Sequence, residues 1–106
     1  MLRFEVISSS QLDYLLDNPC VQIIDVREKC LFDKVHIRNS INIPYEELSK
    51  KHVALPQNKI LIFYCAHGGT GLLAAKEYFD RGYTVKALIG GIEDYSGKNK
   101  VFDTCS

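Results

Sequence analysis

Short apolar runs alternate with amphipathic stretches along the chain, and this alternation predicts strands and helices in turn. Runs rich in β-branched and other apolar residues predict strands at 4–7, 21–26, 40–43, 60–64 and 85–89. Apolar positions three and four residues apart predict helices at 8–18 and 72–82, and a third helix is predicted after Pro44. Strands that alternate with helices are typical of an α/β fold with a mostly parallel sheet.

Local signals mark where two of these helices begin and end. Ser10, with Asp13 three residues later, resembles a capping box, and the Asn18-Pro19 pair ends the first helix. Gly82 suits the C-terminal cap of the last helix, because glycine readily takes the left-handed conformation found there.

The segment YCAHGGTG joins the most apolar strand to the last helix. In an open α/β sheet, function gathers at the carboxyl ends of the strands, which is where Cys65 is expected to lie. Gly68, Gly69 and Gly71 allow backbone conformations that other residues avoid, so successive N–H groups can converge on an anion. A helix that begins near Gly71 adds further N–H groups and a positive partial charge. The pattern therefore predicts a cysteine thiolate that is stabilised by backbone rather than by side chains.

The composition is that of one compact domain, which we expect to span residues 1–106. Hydrophobic residues make up 46% of the chain, enough for a core without disulfides or a structural metal. Basic and acidic residues number 13 each, and no basic run is interleaved with aromatics, so no nucleic-acid partner is expected. No metal or organic cofactor is expected either.

The cysteines and the apolar runs indicate where the protein works. Cys20, Cys30, Cys65 and Cys105 match no CxxC zinc or redox spacing. The first residues lack a sustained apolar core, and the longest apolar run, ILIFYCA, is too short to span a bilayer. We therefore expect reduced cysteines, a cytoplasmic location and no membrane partner.

Three segments, in the same order and spacing, resemble the rhodanese family of thiosulfate and persulfide sulfurtransferases. IIDVREKCLFDKVHIRNSINIP is similar to the family's D-V-R-E…G-H-I-x-G-A-x-N-I-P segment, YCAHGG is similar to its strand-then-cysteine loop, and ALIGGIEDY is similar to its closing L-x-G-G-x-x-x-W. The resemblance covers nearly the whole chain. It implies a three-layer α/β/α fold around a central, mostly parallel sheet of about five strands.

The chain departs from the family pattern at several positions. The usual Gly, Pro, Gly and Trp are replaced in turn by Val35, Arg38, Asn39 and Tyr95. Many members also carry arginine at the loop position that Thr70 holds. The loop therefore offers an anionic sulfur donor only backbone N–H groups, the Thr70 hydroxyl and the imidazole of His67.

The resemblance implies that Cys65 takes a sulfane sulfur from thiosulfate or a persulfide and carries it as a cysteine persulfide. The acceptor would be a thiol, cyanide, or a sulfur-accepting protein. The residues implied to bind substrate are Ala66, His67, Gly68, Gly69, Thr70 and Gly71. Asp25 and Arg27 lie at another strand end on the same edge, where the resemblance implies a structural polar pair that organises the loops. His36 is expected to be structural.

Several alternatives stay open. Thr70 could bind an anion or cap the helix, and His67 could act at the pocket or be a solvated loop residue. Cys105 could reach Cys65 as a resolving thiol. A non-catalytic rhodanese-like module that binds a partner or senses redox state is the main rival; the missing arginine argues for it, and the retained cysteine argues against it. A cysteine phosphatase is disfavoured, because it needs an arginine six residues after the nucleophile, where Gly71 stands.

Overall fold

The computed structural model describes residues 4–103. The strands are β1 (Glu5–Ile7), β2 (Val21–Asp25), β3 (Val35–Ile37), β4 (Ser40–Asn42), β5 (Ile60–Tyr64), β6 (Thr84–Leu88) and β7 (Lys100–Phe102). The helices are α1 (Ser9–Leu15), α2 (Lys29–Lys34), α3 (Tyr45–Lys51) and α4 (Gly69–Asp80), with a short 3-10 helix at Ile92–Asp94. Within the described range, no helix has both the length and the apolar character that crossing a bilayer requires.

Five strands form one fully parallel sheet in the order β1-β6-β5-β2-β4. The register pairs Asp25 of β2 with Tyr64 of β5 on one side and with Asn42 of β4 on the other. The carboxyl ends of these three strands therefore meet at one edge of the sheet. The five strands predicted from the apolar runs are confirmed, with small shifts at their ends.

The two faces of the sheet bury separate apolar clusters, and alternate residues of β5 serve each one. On one face, Leu61 and Phe63 pack with α4 and with Leu48 of α3. On the other face, Ile62 and Tyr64 pack with residues of α1. All four β5 side chains are fully buried. The predicted three-layer α/β/α arrangement is therefore confirmed, with β5 at its centre.

Two helix starts differ from the sequence-based predictions. Ser8 caps α1, and its reciprocal hydrogen bonds with Gln11 form the capping box, so Ser10 lies inside the helix instead of at its start. Helix α4 begins at Gly69, two residues earlier than expected, because Gly68 takes the N-cap position with a φ of 109°. The earlier start brings the N-terminus of α4 closer along the chain to the cysteine.

The apolar pattern does not predict α2, β3 or β7. The apolar residues of α2, at 30–32, are consecutive and not three or four residues apart, so they form no helical stripe. Strands β3 and β7 have three residues each and pair antiparallel as a small second sheet, with Val35 opposite Phe102. This pairing joins distant parts of the chain, which no local pattern indicates.

Candidate active site

Cys65 directly follows β5, at the edge where the parallel strands end. The residue is 5% exposed. Its Sγ atom accepts a hydrogen bond from the backbone N–H of Gly68 at 3.0 Å. A backbone N–H directed at sulfur is the contact expected for a group that carries negative charge. The structure thus supports the predicted contact between the cysteine and the loop backbone.

The start of α4 supplies further donors next to this sulfur. The first N–H groups of an α-helix have no acceptor within the helix, and in α4 they belong to Gly69, Thr70 and Gly71. No side chain caps this helix start, and Gly68 rather than Thr70 holds the N-cap position. Thr70 therefore does not cap α4. The positive end of a twelve-residue helix lies beside Cys65, which favours an anion there.

Close backbone approaches require two of the loop glycines. A Cβ atom on Gly68 would lie 3.2 Å from the backbone nitrogen of Gly90, and one on Gly71 would lie 3.2 Å from the Cα atom of Tyr64. Gly69 differs, because nothing lies within 4 Å of the place where its Cβ would be. Gly68 and Gly71 thus shape the loop, whereas Gly69 borders open space.

A turn after β6, here called the clamp turn (residues 90–93), donates backbone hydrogen bonds to the start of the cysteine loop. Ile92 donates its N–H to the Cys65 carbonyl at 2.9 Å, and the following N–H donates to the Ala66 carbonyl at 3.0 Å. A Cβ on Gly91 would lie 2.5 Å from the Ala66 carbonyl oxygen and nearer still to that of Cys65. Sequence patterning gave this turn no role in the site. Its two adjacent glycines are the signal that could have indicated one.

An open pocket of about 480 Å³ lies over Cys65. The cysteine loop contributes Cys65, Ala66, His67, Gly69 and Thr70 to its lining. The facing walls are formed by Val26, Arg27, Glu28, Leu31, Tyr45 and Glu46. Of the six residues predicted to bind substrate, four line the pocket, while Gly68 and Gly71 form the backbone behind it. Apart from Arg27, the facing walls were not identified from the sequence.

The family model for the rhodanese-like domain matches residues 8–98, a span that contains the whole pocket. The chain belongs to the rhodanese-like domain family. Its fold is therefore shared with a known group of proteins, as the resemblance implied.

Named relatives indicate which branch of the rhodanese-like family this domain is similar to. A thiosulfate:glutathione sulfurtransferase of Saccharomyces cerevisiae is 36% identical over 87 residues, covering 70% of this chain and 63% of the yeast protein. This chain thus spans less than two thirds of that relative. Thiosulfate sulfurtransferase GlpE of Coxiella burnetii is 24% identical over 103 residues, covering 96% of each protein. These names support a rhodanese-type sulfurtransferase at the level of the family.

A solved structure gives the same assignment of the fold. The crystal structure of a rhodanese-related protein from Thermoplasma volcanium matches with a TM-score of 0.84 and 29% sequence identity. The match covers 92% of this chain and 98% of the other. The similarity therefore extends over nearly the whole rhodanese-like domain.

Asp25 and Arg27 form a buried ion pair beside the pocket. Arg27 Nη2 donates to one carboxylate oxygen of Asp25 at 2.7 Å, and Nε donates to both oxygens at 3.0 and 3.1 Å. Nη2 also donates to the Val35 carbonyl at 2.6 Å. Burial tends to lower the pKa of Arg27, but hydrogen bonding and attraction to Asp25 hold the pKa above its ordinary value. The pair connects the end of β2 to the start of β3.

The family departures at Asn39 and Tyr95 are accommodated in this rhodanese-like domain. Asn39 has a φ of 70°, a conformation that suits glycine and that asparagine tolerates better than most residues. Its side-chain amide donates to the Leu16 carbonyl at 3.1 Å. The Tyr95 ring is buried, and its hydroxyl donates a hydrogen bond to Asp13, so the polar end of the side chain has a partner.

The remaining histidine and cysteine predictions concern His36, Cys20, Cys30 and Cys105. His36 places Nδ1 2.9 Å from the Phe32 carbonyl and stacks on the Phe32 ring, which supports a structural role. Cys20 and Cys30 are exposed and free, and neither lines the pocket. Cys105 lies outside the described residues, so its suggested role as a resolving thiol stays a prediction.

Proposed function

We propose that this protein is a sulfurtransferase in which Cys65 carries the transferred sulfur as a persulfide. The supporting observation is that Cys65 lines an open pocket, while its sulfur accepts the Gly68 N–H at 3.0 Å next to the free N–H groups that begin α4. A cysteine whose only role was packing in the core would require neither an open pocket beside it nor N–H groups directed at its sulfur.

In the first half-reaction, the Cys65 thiolate attacks the outer sulfur of thiosulfate. An S–S bond forms on Cys65, the S–S bond of thiosulfate breaks, and sulfite leaves with the electron pair. In the second half-reaction, a thiolate or cyanide attacks the terminal sulfur of the persulfide, and Cys65 leaves as a thiolate. The products are an acceptor persulfide or thiocyanate, and the two half-reactions predict ping-pong kinetics.

The residues around Cys65 have distinct roles in this proposal. The N–H groups of residues 66–71 stabilise the charged persulfide, as an oxyanion hole stabilises developing charge in acyl transfer. His67 and Thr70 line the pocket and contact the donor. Asp25 and Arg27 are positioning residues, because their mutual hydrogen bonds order the neighbouring loop.

The proposed donor is thiosulfate or a persulfide, and the proposed acceptor is a thiol, cyanide in vitro, or a thiol of a partner protein. The yeast relative is named for thiosulfate and glutathione, which favours a thiol acceptor. The free Cys20 and Cys30 fit the reducing environment of the cytoplasm, where we place the protein.

Intact-mass spectrometry after exposure to thiosulfate tests the proposal. We expect one added sulfur atom, located on the peptide that contains Cys65 and removed by cyanide. If neither thiosulfate nor a small persulfide adds sulfur to Cys65, the proposal is wrong. That result would favour the rival function, a rhodanese-like module that binds a partner or senses redox state without transferring sulfur.

The pocket geometry does not favour a phosphatase. Gly71 holds the position where a cysteine phosphatase needs arginine, and this residue is buried. A Cβ there would already lie 3.2 Å from the Cα of Tyr64, which leaves no space for a long side chain. The bidentate guanidinium contact that holds phosphate in such enzymes therefore cannot form from this position.

Thr70→Arg is expected to raise kcat/KM for thiosulfate by about tenfold. Thr70 is half-buried, lines the pocket and does not cap α4, so the substitution keeps the helix start. A hydrogen bond to a charged group contributes about 1.5–3 kcal/mol, and screening at an open pocket brings the gain toward the lower value. Steady-state rates at low and high salt measure this gain, which should shrink as salt rises.

Thr70→Gln is the matched control, because glutamine extends into the pocket without a charge. We expect little gain in kcat/KM from it. A melting curve for each variant shows whether the fold is kept. A folded Thr70→Arg protein with unchanged kcat/KM for thiosulfate would show that the backbone N–H groups already suffice to capture this anion.

A further inference from the structure

The pocket has opposite charge at its base and at its mouth. Its base is formed by Cys65 and the N-terminus of α4, where backbone N–H groups favour an anion. Two exposed carboxylates, Glu28 and Glu46, line the facing walls. Glu28 directly precedes α2 and Glu46 lies in the first turn of α3, so the two come from different elements.

The positive charges near the mouth do not fully cancel these two carboxylates. Arg27 also lines the pocket, but its guanidinium is already paired with the buried carboxylate of Asp25 at 2.7 Å. Lys50 Nζ lies 3.9 Å from Glu46, and both side chains are 78% exposed, so this cation offsets the charge of Glu46 only loosely. Lys29, next to Glu28 in sequence, pairs with Asp33 at 2.7 Å. Among the described residues no cation forms an ion pair with Glu28, so the mouth keeps a net negative charge.

Apolar surface lies beside the two carboxylates. Leu31 lines the pocket and is 41% exposed, and Tyr45 and Val26 line the same facing walls. A short aliphatic chain can contact these side chains while its sulfur reaches Cys65. A group at the far end of that chain would then meet Glu28 or Glu46.

From these observations we propose that the pocket selects sulfur compounds that carry a positive charge a few atoms from the sulfur, such as aminothiols and their persulfides, over anionic ones such as thiosulfate. This inference rests on the proposed function of Cys65. The reacting sulfur is anionic and binds at the base, while the ammonium group stays at the mouth. Thiosulfate has no such cationic end, and its two negative charges meet the carboxylates at the mouth.

Charged thiol reagents test this selection without any turnover. The trimethylammonium-ethyl and sulfonatoethyl methanethiosulfonates both form a disulfide with a thiolate and release methanesulfinate, and they differ in charge. The rate of modification of Cys65 by each reagent is followed by peptide mass. We expect the ratio of cationic to anionic rates to fall about two- to fivefold in Glu28→Gln and in Glu46→Gln, and about tenfold in the double variant.

Glu47→Gln is the matched control, because it removes the same charge from the same helix at an exposed position outside the pocket. Its rate ratio should stay near that of the wild type. The wild-type ratio should also approach that of a free thiol in about 1 M salt, where the screening length is only about 3 Å. The inference is overturned if the rate ratio is unchanged in Glu28→Gln and Glu46→Gln, or if it changes as much in Glu47→Gln as in those two variants.

A second measurement uses the persulfide itself. Cys65 is loaded with sulfur, and its discharge to cysteamine and to 3-mercaptopropionate is timed in each variant. Dividing each rate by the wild-type rate for the same thiol removes the intrinsic reactivity of that thiol. We expect the double variant to slow discharge to cysteamine and to speed discharge to mercaptopropionate, about threefold or more each way. Equal effects on both thiols would overturn the inference.

The two measurements separate this inference from the proposed function. If Cys65 never gains sulfur while the reagent ratio responds to Glu28 and Glu46, the sulfurtransferase proposal fails and selection by charge at the pocket is supported. If Cys65 gains and loses sulfur while neither reagent nor acceptor charge matters, the sulfurtransferase proposal is supported and selection by charge fails.

Discussion

Cys65→Ser is expected to abolish sulfur uptake and to lower transfer from thiosulfate to cyanide by more than about a thousandfold. The serine hydroxyl does not ionise near neutral pH, so it cannot attack the outer sulfur of a donor. The hydroxyl is similar in size to the thiol and can still accept the Gly68 hydrogen bond, so the fold should be kept. Intact mass, thiocyanate production and a melting curve measure these three expectations.

The other cysteines provide matched controls for this substitution. Cys20 and Cys30 are exposed and do not line the pocket, so their serine variants should form persulfide at the wild-type level. Cys105→Ser tests in addition whether a resolving thiol takes part. Transfer that survives in Cys65→Ser, or that disappears in Cys20→Ser or Cys30→Ser, would count against Cys65 as the nucleophile. Loss of transfer in Cys105→Ser, with sulfur uptake by Cys65 kept, would instead indicate a resolving thiol.

The sheet and the cysteine loop could be predicted because their signals are local. Residues 60–64 are apolar without interruption, as a central strand of a parallel sheet requires, and the structure buries this strand on both faces. Cys65 and three glycines follow within seven residues. The strand end, the candidate nucleophile and the helix start therefore lie in one continuous segment that can be recognised from the sequence. No long-range contact has to be known to recognise it.

The facing walls of the pocket could not be predicted, because they depend on how separate elements pack. Leu31 lies in α2, a six-residue helix whose apolar residues are consecutive and form no helical stripe. Tyr45 and Glu46 begin α3, on another part of the chain. Nothing in the local pattern of either segment indicates that the two meet over Cys65. The charge at the mouth therefore becomes visible only in the folded chain.

The clamp turn illustrates the same limit at the level of the backbone. Its glycines match a family pattern, but the pattern does not say what they touch. In the structure, Gly91 lies against the carbonyl groups of Cys65 and Ala66, which accept the next two backbone N–H groups. A turn 25 residues away in the sequence thus fixes where the cysteine loop begins.

Gly91→Ala is expected to destabilise the protein by about 2–6 kcal/mol and to displace the cysteine loop. Gly91 has a φ of 65° and a ψ of −163°, a conformation that is essentially restricted to glycine and costs other residues about 1–3 kcal/mol. Its new Cβ would also lie 2.5 Å from the Ala66 carbonyl oxygen, and forced packing of this kind costs about 1–3 kcal/mol more. The melting temperature should fall by at least about 10 °C.

Gly69→Ala is the matched control, since it adds the same methyl group to a glycine of the same site. Nothing lies within 4 Å of the new Cβ, and the position is the first of α4, where alanine favours the helix. We expect its melting temperature to stay the same or to rise slightly. Labelling of Cys65 by a neutral thiol reagent under native conditions reports the loop, and its rate should change in Gly91→Ala well below the melting temperature. If Gly91→Ala melts at the wild-type temperature and its Cys65 is labelled at the wild-type rate, the cysteine loop does not depend on the clamp turn. The two carbonyl groups could then move away from the new methyl group without displacing Cys65.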